Sequence, residues 1–285
     1  MAYGKETSSI MDIPLERKSV FTPYVGDNGY RFEGLNTIYV LSNVNGTLVT
    51  YDETSATAPF GAITLATPAE QELTLAYNQA MIKRIQHTQI QDIPVSGFAK
   101  KWAVQQVYEV FIPAHDAYSF GKLVAARPGG NVVVAPEADW ANDDHAMSLK
   151  FSQAINLVRT NGKSTAGSLI AWVSYDFAAN LSNQINFHGS DKGYDDAKNG
   201  YLGRHKGVMI VEVPDAYLGV DVHAIIADKR AIVAVKPKMS PDDGQGYVVL
   251  EKVPGFSGIE IQLRDRGDTF VLNKKAAAIA TIEEN

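Results

Sequence analysis

Alternation of apolar and polar residues is clearest first between Thr37 and Asp52, where Asn45-Gly46 separates two β-prone runs. That dipeptide is the strongest short-range hairpin signal. A two-residue turn there pairs Val44 with Thr47, Ser42 with Val49 and Val40 with Tyr51. One face then carries Val40, Val44, Val49 and Tyr51, and the other Tyr39, Leu41 and Leu48. A lone two-stranded hairpin is marginal in water, so this one needs a surface to lie on. Residues 66–92 fit both a strand and a helix period. The alternation of Leu73, Leu75 and Tyr77 favours strands, with Asn78-Gln79 turning into a second one through Ile82 and Ile85.

From Gly97 the period becomes helical. Ala99, Ala103, Val107, Val110 and Ala114 form one stripe, with Lys101, Gln105, Gln106 and Glu109 opposite. Pro113 is expected to kink or break this helix. The pattern resumes through Tyr118, Phe120 and Leu123 and stops before Pro128-Gly129-Gly130, a rod of about 40 Å. Val132–Ala135 reads as a short strand. Residues 143–161 read as a helix burying Met147, Phe151, Ala154 and Val158 and ending at Gly162. Leu169–Val173 is a buried-strand run, and Ser174 is the expected N-cap of a helix presenting Phe177, Leu181 and Ile185. Residues 186–206 read as a polar loop. Strands are expected at Val208–Val213, Val222–Ala227, Gly246–Leu250, Gly258–Leu263, Thr269–Leu272 and Ala277–Ile282, with a turn at Gly267-Asp268. The content is α+β.

Composition narrows the class. The 285 residues are 45% hydrophobic and 20% charged, which excludes disorder throughout. Size scaling buries about 73% of the unfolded surface, enough for a sizeable core. There is no cysteine, which excludes disulfide frameworks, thiolate metal sites and cysteine nucleophiles. No apolar run reaches the roughly 20 residues that span a bilayer. A net charge of -6 argues against a dedicated nucleic-acid binder. Residues 1–34 carry four positive and five negative charges, so this arm is not polybasic. Alone it has little to bury, so it is either flexible or ordered by something else. The polar start is unlike a secretory signal and points to folding in a cytoplasm.

Fragments of chemical motifs do not assemble into a site. Asn161–Thr165 contains the end of a P-loop, but Leu157 stands where its first glycine belongs, and a helix precedes it. Asp143-Asp144-His145 cannot converge on one ion, and Asp242-Asp243-Gly244 lacks the later Glu of a calcium loop. His115 and Asp116 are adjacent on a helix, about 100° apart, so they do not orient each other. His87, His188, His205 and His223 are scattered, and Trp102, Trp140 and Trp172 read as core or interface residues. No catalytic, cofactor or metal site is expected.

The order of parts is more informative. A polar arm leads to an exposed hairpin, a long helix, an α/β block and a strand-rich return. This order resembles the major capsid proteins of tailed bacteriophages, whose HK-ninety-seven fold encapsulins share. Three stretches carry the likeness: Glu109–Tyr118 (EVFIPAHDAY), similar to a spine-helix segment; Ala171–Phe177 (AWVSYDF), a strand running into a helix; and Asn199–Pro214 (NGYLGRHKGVMIVEVP) followed by Ala224–Ala231 (AIIADKRA), similar to an axial-domain finish. The resemblance covers about residues 30–282.

The resemblance implies an HK-ninety-seven-like α+β capsid fold. Residues 1–34 would be the N-arm and 35–65 an extended β-hairpin loop. Residues 66–130 with 228–285 would form the peripheral domain with its spine helix, and 131–227 the axial domain. It implies a shell subunit found in the virion and assembled in the host cytoplasm. The implied partners are many copies of itself as hexamers and pentamers, a portal, and packaged DNA held by non-specific contacts, with no membrane and a decoration protein left open. Because little chain precedes residue 35, a separate scaffolding protein is expected. The alternatives are an encapsulin-like compartment shell and an α+β enzyme with an unrecognised site. The loop's subunit-interface residues are Tyr39, Leu41, Val44, Asn45, Gly46, Leu48, Tyr51, Asp52 and Glu53. Asp52 and Glu53 are its only charges, so Lys83, Arg84, Lys100 and Lys101 are the candidate contacts on a neighbour. No Lys or Arg lies between Gly34 and Leu65, so the lysine–asparagine crosslink of some relatives is not expected.

Overall fold

A computed structural model describes residues 18–26, 28–30, 32, 36–42, 51, 53–54, 68–86, 97–136, 146–184, 201–235, 247–250 and 254–284. The Asn45-Gly46 turn, Val44, Leu48, Asp52, His87, Asp143-Asp144-His145, Trp140, Ile185, His188 and Asp242-Asp243-Gly244 lie outside the described residues. The chain divides into two compact units, residues 32–74 and the remainder.

In the smaller unit, β1 (Thr37–Ser42) pairs antiparallel with β2 (Ala69–Thr74), Thr37 opposite Thr74. Val40 therefore faces Gln71, not Tyr51 as the turn signal implied, and Tyr51 lies outside any strand. The alternation of Glu70, Glu72 and Thr74 with Leu73 explains the choice. Pairing in this register sets Leu73 opposite Ile38 and turns both glutamates to the other face.

The larger unit runs β3 (Tyr77–Gln86), α1 (Phe98–Gln106), a π turn (Val107–Phe111), α2 (Ile112–Ala126), β4 (Val132–Val134), α3 (Ala146–Gly162), β5 (Leu169–Ser174), α4 (Tyr175–Gln184), β6 (Tyr201–His205), β7 (Val208–Val213), α5 (Asp215–Leu218) and β8 (Val222–Asp228). It continues through β9 (Ile232–Val235), β10 (Tyr247–Leu250), β11 (Gly258–Val271) and β12 (Ile279–Glu283). A six-stranded sheet has the order β4-β12-β8-β5-β7-β6, with β4/β12 and β5/β7 parallel. Every residue of its central strands β5 and β8 is buried, which is why both read as unbroken apolar runs. α3 covers the sheet with Met147, Phe151, Ala154, Ile155 and Val158. Ser174 Oγ accepts the Phe177 N–H (3.3 Å), capping α4 as expected. β6 forms where a loop was expected, because Lys206 and Gly207 adopt positive φ and fold it back on β7.

Helical structure is continuous from Phe98 to Ala126, about 43 Å at 1.5 Å per residue. Pro113 does not break it. The Ile112 N–H reaches back five residues to the Val107 carbonyl, and this wide turn leaves the missing N–H of Pro113 without consequence. The π turn also re-phases the apolar stripe, which steps by four through Ala103, Val107, Phe111, His115, Ser119 and Leu123. Val110 and Ala114, expected inside, are exposed. α1 and the π turn pack Trp102, Val107 and Phe111 on Ile85, Ile261 and Leu263 of a second sheet, β10-β11-β3.

β11 corrects two expectations. It is one fourteen-residue strand with no turn at Gly267-Asp268, pairing with β3 and β10 first and with β9 over its last four residues. Asp268 is a buried anchor: its carboxylate accepts the Ala76 N–H (2.7 Å), the Tyr118 hydroxyl (3.1 Å) and the Thr269 N–H (2.8 Å). Asn78-Gln79 likewise lie within β3, paired to Arg266 and Asp265. At Gly258 a Cβ would stand 2.1 Å from the Ile85 carbonyl oxygen, so only glycine permits this pairing.

The arm's described part belongs to the core. Phe21 is fully buried, stacked on Trp172 and edge-on to Phe120, each 5.3 Å between centroids. Trp172 Nε1–H donates to the Val20 carbonyl (3.0 Å). Asp116 accepts the Ser19 hydroxyl (2.6 Å) and the Val20 N–H (2.9 Å). Farther along, the Asn28 side-chain amide donates to the Ile232 carbonyl (2.5 Å), and the Ala234 N–H donates to the Gly26 carbonyl (3.2 Å). Of the two readings of the arm, ordering by something else holds here, and the something is its own chain.

Candidate functional site

Large apolar side chains left in water are the feature that needs a functional account. In the smaller unit, antiparallel pairing puts Tyr39 and Leu41 on one face with Glu72 and Glu70, while Val40 and Leu73 take the other and are buried. Tyr39 and Leu41 are each 66% exposed. Glu70 and Glu72 flank them, also exposed. Tyr51 and Glu53 are exposed as well.

The β10-β11-β3 sheet has two unlike faces. Ile85, Ile261 and Leu263 point under the long helix. The opposite face carries Ile82 (58% exposed), Val248 (55%) and Leu250 among Arg84, Glu260, Gln262, Arg264 and Arg266. Arg84 Nε pairs with Glu260 at 2.6 Å, and the Gln262 amide also donates to Glu260. Arg264 and Arg266 are exposed. The structure separates the four candidate cations. Lys83 is on the helix side, its ammonium 5.2 Å from the Trp102 ring centre and 5.5 Å from that of Phe98. Arg84 is on the open face, and Lys100 and Lys101 are exposed along α1. Arg264 and Arg266 were missed by sequence reasoning. Their signal is the alternation Glu260, Gln262, Arg264, Arg266 against Ile259, Ile261, Leu263, Asp265.

A polar cluster lies beneath the long helix. His115 and Asp116 are buried, as are Tyr77 and Asp265. The Tyr77 ring stands edge-on to His115 at 5.1 Å. Burial pushes the Asp116 and Asp265 carboxyls up from 3.8 to about 6, the His115 imidazole down from 6.5 to about 4, and the Tyr77 phenol up to about 12. Asp265 has no side-chain hydrogen-bond partner, and the Arg266 N–H offsets its burial only in part. Each aspartate binds its proton more tightly folded than unfolded. Its contribution is therefore full below pH 3.8 and lost as pH rises to 6. His115 acts in the opposite sense between pH 4 and 6.5. Two aspartates outweigh one histidine, so stability from this cluster falls as pH rises from about 4 to about 6. Urea unfolding of the protomer across that interval should show the decline, and Asp265→Asn should nearly flatten it, leaving Asp116 and His115 opposed. An unchanged slope in the variant would contradict the assignment.

Two carboxylates of this region are engaged in holding the fold. Asp116 is occupied by the arm, Asp268 by three donors, and His115 Nε2 meets no hydrogen-bond partner. A cavity of about 360 Å³ is lined by Ser174, Asp176, Asp215, Asp221, His223 and Glu284, four of which are engaged in holding the fold. Ser174 caps α4, Asp215 accepts the Tyr175 N–H (3.1 Å), and Glu284 holds His223 (3.0 Å). Among the described residues, no group of His, Asp and Glu is arranged to hold a metal ion, and no helix is long and apolar enough to cross a membrane.

No family model matches the chain, and no curated protein matches it in sequence. Its fold does have relatives. A chain from Mycobacterium phage Che8 matches at a TM-score of 0.70 with 12% identity, over 99% of this chain and 97% of that one. The capsid of cyanophage P-SCSP1u matches at 0.70 with 9% identity, over 99% and 92%. The mature capsid of bacteriophage PhiM1 matches at 0.60 with 11% identity, over 99% and 90%. The fold is the HK-ninety-seven-like capsid fold that the order of parts implied.

Proposed function

We propose that this chain is a major capsid protein that self-assembles into the icosahedral head shell enclosing phage double-stranded DNA. The observation that carries this reading is a backbone held in common with phage capsid chains over nearly their whole length. The exposed pair Tyr39 and Leu41 supports it, because a subunit whose apolar surface is completed by copies of itself shows such a patch when alone. On this reading residues 35–65 extend over a neighbour, the long helix is the spine of a peripheral domain, and residues 131–227 cluster at fivefold and sixfold vertices. The protein acts as structure and not as catalyst. DNA meets the inner wall through non-specific, salt-sensitive contacts. Negative-stain microscopy of the concentrated protein, alone and coexpressed with the other head proteins of its genome, tests this. Closed shells of uniform diameter are expected. A monomer or dimer under every condition would contradict it.

A further inference from the structure

We propose that one end of the six-stranded sheet is the surface through which this chain meets the phosphates of packaged duplex DNA. This rests on the capsid reading and names the surface that touches the cargo. The registers bring four strand ends level: Leu169 of β5 lies opposite Asp228 of β8, Ile170 opposite Met209 of β7, and Ala227 of β8 opposite Ile279 of β12. Residues 159–168, 204–208, 228–231 and 272–278 close this end, and together they hold eight Lys and Arg and one carboxylate, Asp228. Asp228 is buried and already bound by the Arg230 guanidinium (2.7 Å) and the Ser168 hydroxyl (2.9 Å). The end is therefore strongly positive, although the whole chain carries a net charge of -6. The cationic residues are tied to one another: Arg159 Nη2 donates to the Lys206 carbonyl (3.1 Å), and Lys275 Nζ to the Arg230 carbonyl (3.0 Å). Burial, and then the charge of Arg204, lower the Lys229 pKa, so like charges are crowded here. The dipole of α3 accounts for Arg159 and Lys163 at its C-terminal end. It does not account for Lys206, Arg230 and Lys275, which arrive on three other connections.

Two features favour nucleic acid over a protein partner. Lys163, Arg204, Lys206, Arg230, Lys274 and Lys275 are exposed, yet among the described residues no large apolar side chain stands in water within these four segments. A protein interface draws most of its affinity from such anchors, whereas a polyphosphate asks only for charge. The opposite end of the same sheet is acidic, with Asp176, Asp215, Asp221 and Glu284 around the cavity there. A subunit that attracts polyanions at one end and repels them at the other is oriented towards the packaged duplex. The extent fits as well. From β12 across β8 and β5 to β7 is three strand intervals, about 14 Å. Duplex DNA carries one charge per about 1.7 Å of axis, so about eight phosphates span that row and about four face it.

Binding of a duplex of about 20 base pairs to the soluble protomer, followed by fluorescence anisotropy against salt, tests the assignment. About four phosphate contacts give a slope of log K against log salt near -3.6, so wild-type affinity should fall about 150-fold between about 50 and 200 mM salt. Lys206→Gln with Lys275→Gln should halve that slope, leaving a loss of about tenfold over the same interval. Lys18→Gln with Lys122→Gln removes the same charge from exposed sites elsewhere and should keep the wild-type slope. Duplexes of unrelated sequence should bind alike. All four lysines are exposed, so urea unfolding of each variant should match wild type. No binding by the wild-type protomer, or equal slopes for the two variants, would overturn the proposal, while shells seen by microscopy would leave the capsid reading intact. Failure to form shells under every condition would overturn both. Acetylation of lysines in DNA-filled and emptied heads, read by mass spectrometry, is the second measurement. Lys163, Lys206 and Lys275 should be protected in filled heads and labelled in emptied ones. Equal labelling in both would overturn the proposal. So would protection in both, which would give this surface to an acidic segment of a neighbouring copy.

Discussion

Phe21→Ala should destabilise the protomer by about 3–5 kcal/mol, a large part of the stability of an ordinary domain. Phe21 is in contact with both Phe120 of the long helix and Trp172 of the central strand β5. Removing it opens a hole at the junction of helix, sheet and arm, and loses two aromatic contacts worth about 0.5–1.5 kcal/mol each beyond the area. The polar anchors do not compensate. The bonds from Ser19 and Val20 to Asp116 and from Trp172 to Val20 depend on the arm keeping its path, which Phe21 fixes. Urea unfolding should show the loss, and Trp172 emission should shift to the red as water reaches the ring. Ser19→Ala is the milder comparison, at about 1 kcal/mol. A Phe21→Ala protomer within 1 kcal/mol of wild type would mean that the arm merely lies on the core.

Tyr39→Ser with Leu41→Ser should abolish shells while leaving the protomer's unfolding curve unchanged. Both side chains are mostly in water in the single copy, so serine costs little there. In a contact between copies they are the large apolar anchors, and truncating such residues costs about 2 kcal/mol or more per contact, roughly 30-fold in each pairwise constant. A shell repeats the contact many times, so the loss compounds. Particle counts by microscopy and unfolding by circular dichroism separate the two effects. Wild-type particle yield from the double variant would remove this face from the interface.

Much of the fold was legible because some residues report their environment locally. β5, β7 and β8 are apolar runs that only a covered sheet tolerates, and α3 shows its buried stripe at helical spacing. What the sequence hid depends on partners distant along the chain. Asp268 looks like a turn residue until Ala76 and Tyr118 are seen to donate to it. Nothing around Asn45-Gly46 says that β1 prefers a strand about thirty residues away. Phe21 and Val25 sit in a polar arm whose local composition conceals that both are core residues. Pro113 marked the right place for an irregularity but not its form, since a π turn differs from a kink by where one N–H reaches.

The candidate surface divided the same way. Tyr39 and Leu41 were legible as large residues in a segment too short to bury them. Lys83 and Arg84 are adjacent and read alike in the sequence, yet a strand turns them to opposite faces, one against Trp102 and the other beside Glu260. Arg264 and Arg266 became candidates only once β11 proved to be a single strand with β3 beside it.

Amide exchange in β1 and β2, measured on intact shells and on dissociated protomers, probes the unfinished surface most directly. If neighbouring copies complete it, the amides of residues 37–42 and 69–74 exchange quickly in the dilute protomer and become strongly protected in the shell. Equal, strong protection in both states would mean that the smaller unit is already finished within one chain.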